Sequence, residues 1–373
     1  MTDIAGAGVP QGRGPAPSNE ARVPVPPDVL AVFRRKPGRA LMLGHVHPDA
    51  DVLGTLLGAG LALEKAGWSV VYGGPHAAPS VLDFLPGIER YTRLARLDGR
   101  FDFALLTDCP NPARTEGLID QARDAVATIV NVDHHPDNRR YGHVNWVDAS
   151  AAATGEMIHA LLTAWPAEIT PDIATNLFTA VHTDTGSFRY SNVTADTFRI
   201  AAELTAAGAA PSVVSNALYE RRPVDALGHL GRALSLVRVS EDGRVAWLAL
   251  PHGTVPESFV ESEELVNYPR SIASVRVACL LREVNGAVKV SLRGKGDVDV
   301  QAVAARFGGG GHKNAAGFTL TAPSLEQATR DVLAAVRLAV SGAGQSALAE
   351  RRGTRATWGT ETVPHAPRAP SPE

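Results

Sequence analysis

The sequence has few cysteines, lacks long apolar runs, and has almost no excess of either charge. Two cysteines among 373 residues are too few for a disulfide scaffold, which is typical of a reducing compartment. No stretch approaches the roughly 20 apolar residues of a membrane helix, and the N-terminus lacks a signal-peptide core. The formal net charge of −3 argues against a general polyanion binder, so any nucleic-acid contact must be local. We therefore expect a cytoplasmic protein that does not enter membranes.

The organisation of the chain follows from its composition and length. Residues 1–25 and 341–373 are rich in small residues, proline or charge and have no periodicity, so we predict two disordered tails. The remainder is long enough for two cores. We place the first domain at 26–205, a linker at 206–228 and the second domain at 229–340.

The first domain alternates apolar strands with helical patterns. Strands are predicted in RALMLGHV, WSVVYGG, FDFALLTDC and ATIVNVDHH, and helices in VLGTLLGAGLALEKAG, TGEMIHALLTAW and PDIATNLFTAVHTD. This alternation is typical of a parallel sheet in an α/β fold. Further helical segments lead through the linker to a smaller α+β domain, with strands in RVAWLALP, SVRVACLLRE, AVKVSLRG and GFTL.

Ionisable residues cluster where the first domain's predicted strands and helices end. GHVHPDADVLG places two histidines and two aspartates within residues 45–51, and further clusters occur at Asp108, in DHH at 133–135 and in HTDTG at 182–186. A lone aspartate at such a position is usually a helix cap or turn residue, and a lone histidine is usually structural. Ligands of an open parallel sheet bind beyond the carboxyl ends of its strands, so the combination predicts one shared site.

The residue types of these clusters favour hard divalent metals. Structural zinc sites usually use thiolates, whereas carboxylates with some imidazole suit Mn²⁺, Mg²⁺ or Fe²⁺. Four carboxylates and two imidazoles are too many for one ion but fit two ions that share a carboxylate. Such pairs are a recurring device for phosphate-ester hydrolysis.

The second domain contains a glycine-rich element, FGGGGHKNAAG at 307–317. A glycine run alone is more often a flexible loop, but here its backbone N–H groups have basic neighbours. Residues 265–313 hold eight Lys or Arg against three Asp or Glu, a local balance of +5. This balance predicts a phosphate-binding surface, and the few aromatic residues favour a short substrate over a long stacked strand.

In combination and order, GHVHPDADVLG, TDC, VDHHP, HTDTG and GGGGHKNAAG resemble the DHH phosphoesterase superfamily with its DHH-associated C-terminal domain. The resemblance covers about residues 30–338. The branch it resembles most hydrolyses short oligoribonucleotides and often 3′-phosphoadenosine 5′-phosphate. It implies a metal-dependent phosphodiesterase that acts on chains of two to five nucleotides with two Mn²⁺ ions, or Mg²⁺ in their place, and it is compatible with a homodimer.

The resemblance also implies residue roles. One metal would be held by His45, Asp49 and Asp108, and the other by Asp51, Asp108, His134 and Asp184, so that Asp108 bridges. Asp133 would support His134 from behind, and His135 would face the substrate phosphate, which completes the catalytic set of Asp108, Asp133, His134 and His135. His47 would be the spare histidine. The substrate's terminal phosphate or sugar would be bound by Arg293, Gly309, Gly310, Gly311 and His312.

Two departures from the family pattern leave every implied ligand in place. Ala50 stands where the family often has glycine, and Thr55 stands where it often has serine.

Three other functions stay open at this point. The same catalytic core suits a cyclic-di-AMP or linear-dinucleotide phosphodiesterase. A non-catalytic nucleotide sensor usually loses ligands that are present here, and a nucleic-acid-binding module needs a wider basic face.

Overall fold

The computed structural model describes residues 24–256, 264–322 and 324–353. The predicted N-terminal tail lies outside these ranges up to residue 23, and so does the C-terminal tail from residue 354. The described part divides into two units, which are treated separately below. The first holds residues up to His134 and Asn138–Ala217, and the second holds His135–Asp137 and the chain from Leu218.

The first unit contains a six-stranded, fully parallel sheet in the order β3-β2-β1-β4-β5-β6. Its strands are β1 (Arg39–Leu43), β2 (Ser69–Gly74), β3 (Tyr91–Arg93), β4 (Phe103–Thr107), β5 (Ile129–Asp133) and β6 (Val144–Val147). Its helices are α1 (Pro27–Phe33), α2 (Ala50–Lys65), α3 (Leu118–Ala125), α4 (Thr154–Ala164), α5 (Pro171–Asp184), α6 (Ala195–Ala206) and α7 (Pro211–Tyr219), which ends in the second unit. The predicted parallel α/β sheet is therefore confirmed.

The position of the strands explains both the successful and the missed predictions. The four predicted strands form β1, β2, β4 and β5, which are apolar and largely buried. The unpredicted strands β3 and β6 lie at the two edges of the sheet and have three and four residues. Short edge strands bury few side chains, so their sequences lack the apolar run that marks a central strand.

The strand order also determines where a ligand would bind. Strand β1 has β2 on one side and β4 on the other, so the chain reverses direction across the sheet between β1 and β4. A crevice forms at the carboxyl ends of strands at such a reversal. GHVHPDADVLG begins where β1 ends, and Asp108 directly follows β4.

Helix α2 is buried along almost its full length because it packs closely on α5. Asp49 caps its N-terminus through a hydrogen bond that its carboxylate accepts from the Val52 N–H at 3.1 Å. A Cβ atom on Gly54 would lie 2.4 Å from the carbonyl oxygen of Asn176 on α5, so only glycine permits this approach. The contact holds α2, which carries Asp51, next to α5, which ends in Asp184.

The second unit is a mixed sheet in the order β11-β12-β10-β9-β8-β7, in which only the β8–β9 pair is parallel. Its strands are β7 (Val237–Val239), β8 (Val245–Leu250), β9 (Val277–Val284), β10 (Ala287–Gly294), β11 (Gly310–His312) and β12 (Ala315–Leu320). Its helices are α8 (Ala226–Leu234), α9 (Asn267–Ser271), α10 (Val300–Ala305) and α11 (Leu325–Gly353). The predicted smaller α+β domain is confirmed.

Two features of the second unit bear on the predicted boundaries. The units divide between Ala217 and Leu218, and the predicted linker consists largely of α7 and the start of α8. Helix α11 continues to Gly353, past residue 341 where a disordered tail is predicted to begin. Residues 343–351 are mostly Ala, Gln, Leu, Glu and Arg without proline, so their helix propensity favours continuation. None of the described helices is long and apolar enough to cross a membrane.

We expect Gly54→Ala to destabilise the protein by about 1–3 kcal/mol, because the added methyl group forces α2 away from α5. Thermal unfolding of the metal-free protein measures this loss. Gly231→Ala on α8 is the matched control, because a Cβ there has nothing within 4 Å and alanine favours a helix. Equal melting temperatures for the two variants would contradict the close α2–α5 contact.

Candidate metal centre

Six predicted ligands come together at the carboxyl edge of the parallel sheet. Ligand atoms of His45, Asp49 and Asp108 lie within 4.8 Å of one another, and so do those of Asp51, His134 and Asp184. Asp108 is close to both groups, because its Oδ1 atom is 3.3 Å from His134 Nε2. His134 Nε2 is also 3.4 Å from Asp184 Oδ2 and 3.8 Å from Asp51 Oδ2. This geometry is consistent with two sites that share Asp108.

The Asp51 carboxylate is held by the first peptide groups of α4. Its Oδ2 atom accepts a hydrogen bond from the Thr154 N–H at 2.8 Å, and its Oδ1 atom accepts one from the Gly155 N–H at 2.9 Å. Thr154 Oγ1 lies 3.3 Å from Asp108 Oδ1. The N-terminus of a helix favours negative charge, so α4 orients two predicted ligands from one turn.

Both predicted histidine ligands contact a backbone carbonyl through Nδ1. His134 Nδ1 lies 3.2 Å from the Ala151 carbonyl oxygen, and His45 Nδ1 lies 2.8 Å from that of Val46. An imidazole that donates from Nδ1 has its lone pair on Nε2, and this arrangement is common in metal-binding histidines.

Asp108 has a left-handed backbone with φ of +53°, which is uncommon outside glycine but best tolerated by Asp and Asn. Its N–H donates to the Val132 carbonyl oxygen at 3.0 Å, which continues the pairing of β4 with β5. The next carbonyl, that of Cys109, accepts a hydrogen bond from the Tyr141 hydroxyl at 2.9 Å. The chain therefore fixes the turn that directs Asp108 away from the sheet.

The electrostatics of the cluster favour cations. Burial, followed by the charges of Asp108 and Asp184, raises the pKa of Asp51 well above its usual range. Four carboxylates and two imidazoles without a thiolate form a donor set that suits hard divalent ions. The residues present therefore fit two such ions.

The other two members of the DHH sequence take different places. Asp133 is fully buried and accepts a hydrogen bond from Asn138 Nδ2, whose nitrogen also lies 2.8 Å from Asn131 Oδ1. His135 is buried and belongs with residues 136–137 to the second unit. The roles predicted for Asp133 and His135 stay predictions.

Neither His47 nor His182 belongs to a group of potential metal ligands among the described residues. His47 is exposed, and its ring packs edge-on against His76 at 4.5 Å between centroids. His182 stacks on Phe178 at 5.8 Å. The prediction that His47 is the spare histidine of its motif stays a prediction.

The predicted substrate-binding residues lie on neighbouring strands of the second sheet. Arg293 on β10 and His312 on β11 are both paired with Ala315 on the intervening β12. Residues paired across a sheet share a face, so Arg293 and His312 project from the same side. Two strand spacings place their Cα atoms about 10 Å apart. A Cβ on Gly309 would lie 2.2 Å from the Gly317 carbonyl oxygen, while Gly310 and Gly311 begin β11.

Several residues that shape the centre were not identified from sequence. The peptide groups of Thr154 and Gly155 leave no side-chain pattern, although Thr154 marks the helix start. Asn138 lies five residues after Asp133, and Arg114 places its Nη2 atom 3.2 Å from His45 Nδ1. In the sequence, Asn138 and Arg114 are marked only as polar residues that closely follow a predicted ligand motif.

Comparisons with known proteins agree with this architecture. The model of the DHH family N-terminal domain matches residues 39–181, and that of the DHHA1 domain matches residues 258–341. The chain is 34% identical over 316 residues to the bifunctional oligoribonuclease and PAP phosphatase NrnA of Thermus thermophilus, which covers 85% of this chain and 94% of that protein. It is 28% identical over 289 residues to NrnA of Bacillus subtilis, with 74% and 87% covered.

A solved structure shares the fold over most of the chain. The crystal structure of an exopolyphosphatase-related protein from Bacteroides fragilis superposes with a TM-score of 0.73 at 23% identity. The match covers 84% of this chain and 95% of that one, and it shows the fold.

We expect divalent ions to stabilise the protein, and to do so more strongly as the pH rises. Because the pKa of Asp51 is raised in the folded state, the metal-free protein loses stability as the pH rises from the ordinary aspartate range near 4 through the raised value. Metal competes with protons for the same carboxylates. Thermal unfolding from about pH 5 to 8, with and without Mn²⁺, measures both effects.

Saturation at about 100 times Kd should add roughly 2.7 kcal/mol. Asp51→Asn should remove most of this gain. A melting temperature that Mn²⁺ leaves unchanged at every pH would contradict the metal centre.

Proposed function

The chain belongs to the DHH family of phosphoesterases, and we propose that it hydrolyses oligonucleotides of two to five residues and 3′-phosphoadenosine 5′-phosphate to mononucleotides. The observation that carries the proposal is the cluster of His45, Asp49 and Asp108 beside Asp51, His134 and Asp184. The similarity to two bifunctional oligoribonuclease and PAP phosphatase proteins supports this substrate class.

The six clustered side chains would hold two divalent ions, and we propose Mn²⁺ for both. When bound, such ions polarise phosphoryl oxygens and lower the pKa of water. The chain's own part is to fix the carboxylates in place. Asp51 is oriented by α4, and Asp108 is positioned by its left-handed turn, so the acceptors are arranged before substrate arrives.

The second unit supplies residues suited to the end of a short substrate. Arg293 and His312 share one face of its sheet, and guanidinium with imidazole is suited to a terminal phosphate or sugar. The Gly309 N–H donates to the Ala304 carbonyl oxygen at 3.0 Å, so Gly309 shapes the start of this element, and Gly310 and Gly311 follow it in β11. We assign these residues to substrate binding and His135 to the substrate phosphate.

The setting that we propose is the cytoplasm, with a homodimer as the expected assembly. Both cysteines are buried free thiols, which agrees with a reducing compartment. Chromatographic mass determination decides the assembly.

Asp108→Ala should lower hydrolysis by about 10³-fold or more, because both groups of ligands lose their common carboxylate. Initial rates on RNA and DNA chains of two to 24 nucleotides, 3′-phosphoadenosine 5′-phosphate and cyclic di-AMP with its linear product test the activity. A chelator gives the metal-free blank. Asp124→Ala on the exposed surface of α3 is the matched control and should keep full activity.

Fastest hydrolysis of the two- to five-nucleotide chains supports the proposal. A clear preference for cyclic di-AMP would instead assign the same centre to second-messenger turnover. Full activity of Asp108→Ala at normal metal content would overturn the shared-ligand assignment.

Arg293→Ala should raise KM for dinucleotides about tenfold or more, with a smaller effect on kcat, because the lost contact binds the substrate's end. Its binding of Mn²⁺ should equal that of the wild type. Arg244→Ala, an exposed arginine of the same unit paired with Asp242, serves as the control. An unchanged KM would remove Arg293 from the substrate-binding set.

A further inference from the structure

Arg114 places a guanidinium beside His45, one of the predicted metal ligands. It lies in the 3₁₀ turn Pro112–Thr115 that follows β4, and its Nη2 atom is 3.2 Å from His45 Nδ1. Its backbone carbonyl accepts a hydrogen bond from the Val46 N–H at 2.8 Å. A backbone hydrogen bond therefore links this turn to the loop after β1, and the link does not depend on the guanidinium.

If His45 holds a metal through Nε2, its contact with Arg114 would not be a hydrogen bond. The Nδ1 atom would then carry the proton and donate a hydrogen bond to the Val46 carbonyl oxygen, which lies 2.8 Å away. Guanidinium has donors only, so two donors face each other. Within residues 24–256, 264–322 and 324–353, this is the one side-chain hydrogen-bond contact of the Arg114 guanidinium.

Burial and the charge of Asp108 raise the pKa of Asp49, and the charge of Arg114 lowers it, so Arg114 favours the ionised carboxylate. The same charge, however, acts directly against a cation bound nearby. The six predicted ligands contribute four carboxylates, which balance two divalent ions. A guanidinium beside His45 adds a charge that repels those ions. Its donors and its charge are instead suited to an anion that enters after the metals, and arginine binds phosphate oxygens through a planar fork.

We propose that Arg114 binds the substrate phosphate at the metal centre. The inference rests on the proposed function and adds an anion-binding residue to the first unit. It differs from a positioning role for His45, because a positioning residue would strengthen metal binding, whereas an anion-binding residue strengthens phosphate binding and leaves metal affinity unchanged or weaker.

The test compares wild type, Arg114→Gln and Arg114→Lys as full-length proteins. Calorimetry measures the affinity for Mn²⁺ and then, with Mn²⁺ bound, the affinity for inorganic phosphate. Steady-state kinetics on a diadenylate measure kcat and KM. Arg123→Gln is the matched control, since Arg123 is an exposed arginine on α3 of the same unit. Melting temperatures check that each variant is folded.

We expect Arg114→Gln to bind Mn²⁺ as tightly as wild type or tighter. Its Kd for phosphate should rise at least tenfold, and its kcat/KM should fall about 10²-fold or more, the scale for one lost charge-stabilising donor. Arg114→Lys should recover part of both losses, because it keeps the charge without the fork. Arg123→Gln should match wild type throughout.

Two results would overturn the inference. One is an unchanged phosphate affinity, or no phosphate binding by the Mn²⁺-loaded wild type. The other is a loss of Mn²⁺ affinity that accounts for the whole phosphate effect, which would make Arg114 a positioning residue. If wild type hydrolyses none of the substrates, the proposed function fails, and phosphate affinity still decides the role of Arg114.

Discussion

The constraint on which the structure depends is the burial of several carboxylates close to one another. Asp51 and Asp108 are almost fully buried, and their mutual repulsion and desolvation oppose ionisation. The peptide groups at the start of α4 offset part of this cost for Asp51. They do not neutralise it, because a helix end carries only about half a unit charge. The fold therefore keeps closely spaced carboxylates that divalent ions can bind, and the helices around the sheet hold them in place.

Close helix packing is what makes this arrangement specific. Asp51 and Asp184 reach the same cluster only because α2 lies directly against α5, where Gly54 meets the Asn176 carbonyl. If α2 and α5 were farther apart, each carboxylate would be hydrated separately, and the carboxylates could not bind the same pair of ions. The apolar residues of α2 provide the burial that offsets this crowding, since nearly every residue of the helix is buried. Packing and metal chemistry are thus coupled through one helix.

Much of the fold and of the candidate site could be predicted because their determinants are local in sequence. The four central strands are apolar runs, and the clustered ligands directly follow strands or end a helix. Edge strands β3 and β6 were missed because short, partly exposed strands carry weak patterns. The roles of Thr154, Gly155 and the Ala151 carbonyl were missed for a different reason. They act through backbone groups, which every residue has, and only the tertiary fold decides which of them meet a ligand.

Asp108 shows why strain and function coincide at this centre. A left-handed backbone costs about 1 kcal/mol or more for a non-glycine residue, and glycine at this position would relieve it. Glycine has no carboxylate, however, and the carboxylate of this residue is the one that lies near both groups of ligands. The side chains of Tyr141, Asn131 and Asn138 donate hydrogen bonds to the adjoining Cys109 carbonyl. These bonds stabilise the strained turn. The network is then best understood as the means by which the fold keeps an aspartate where backbone preference favours glycine.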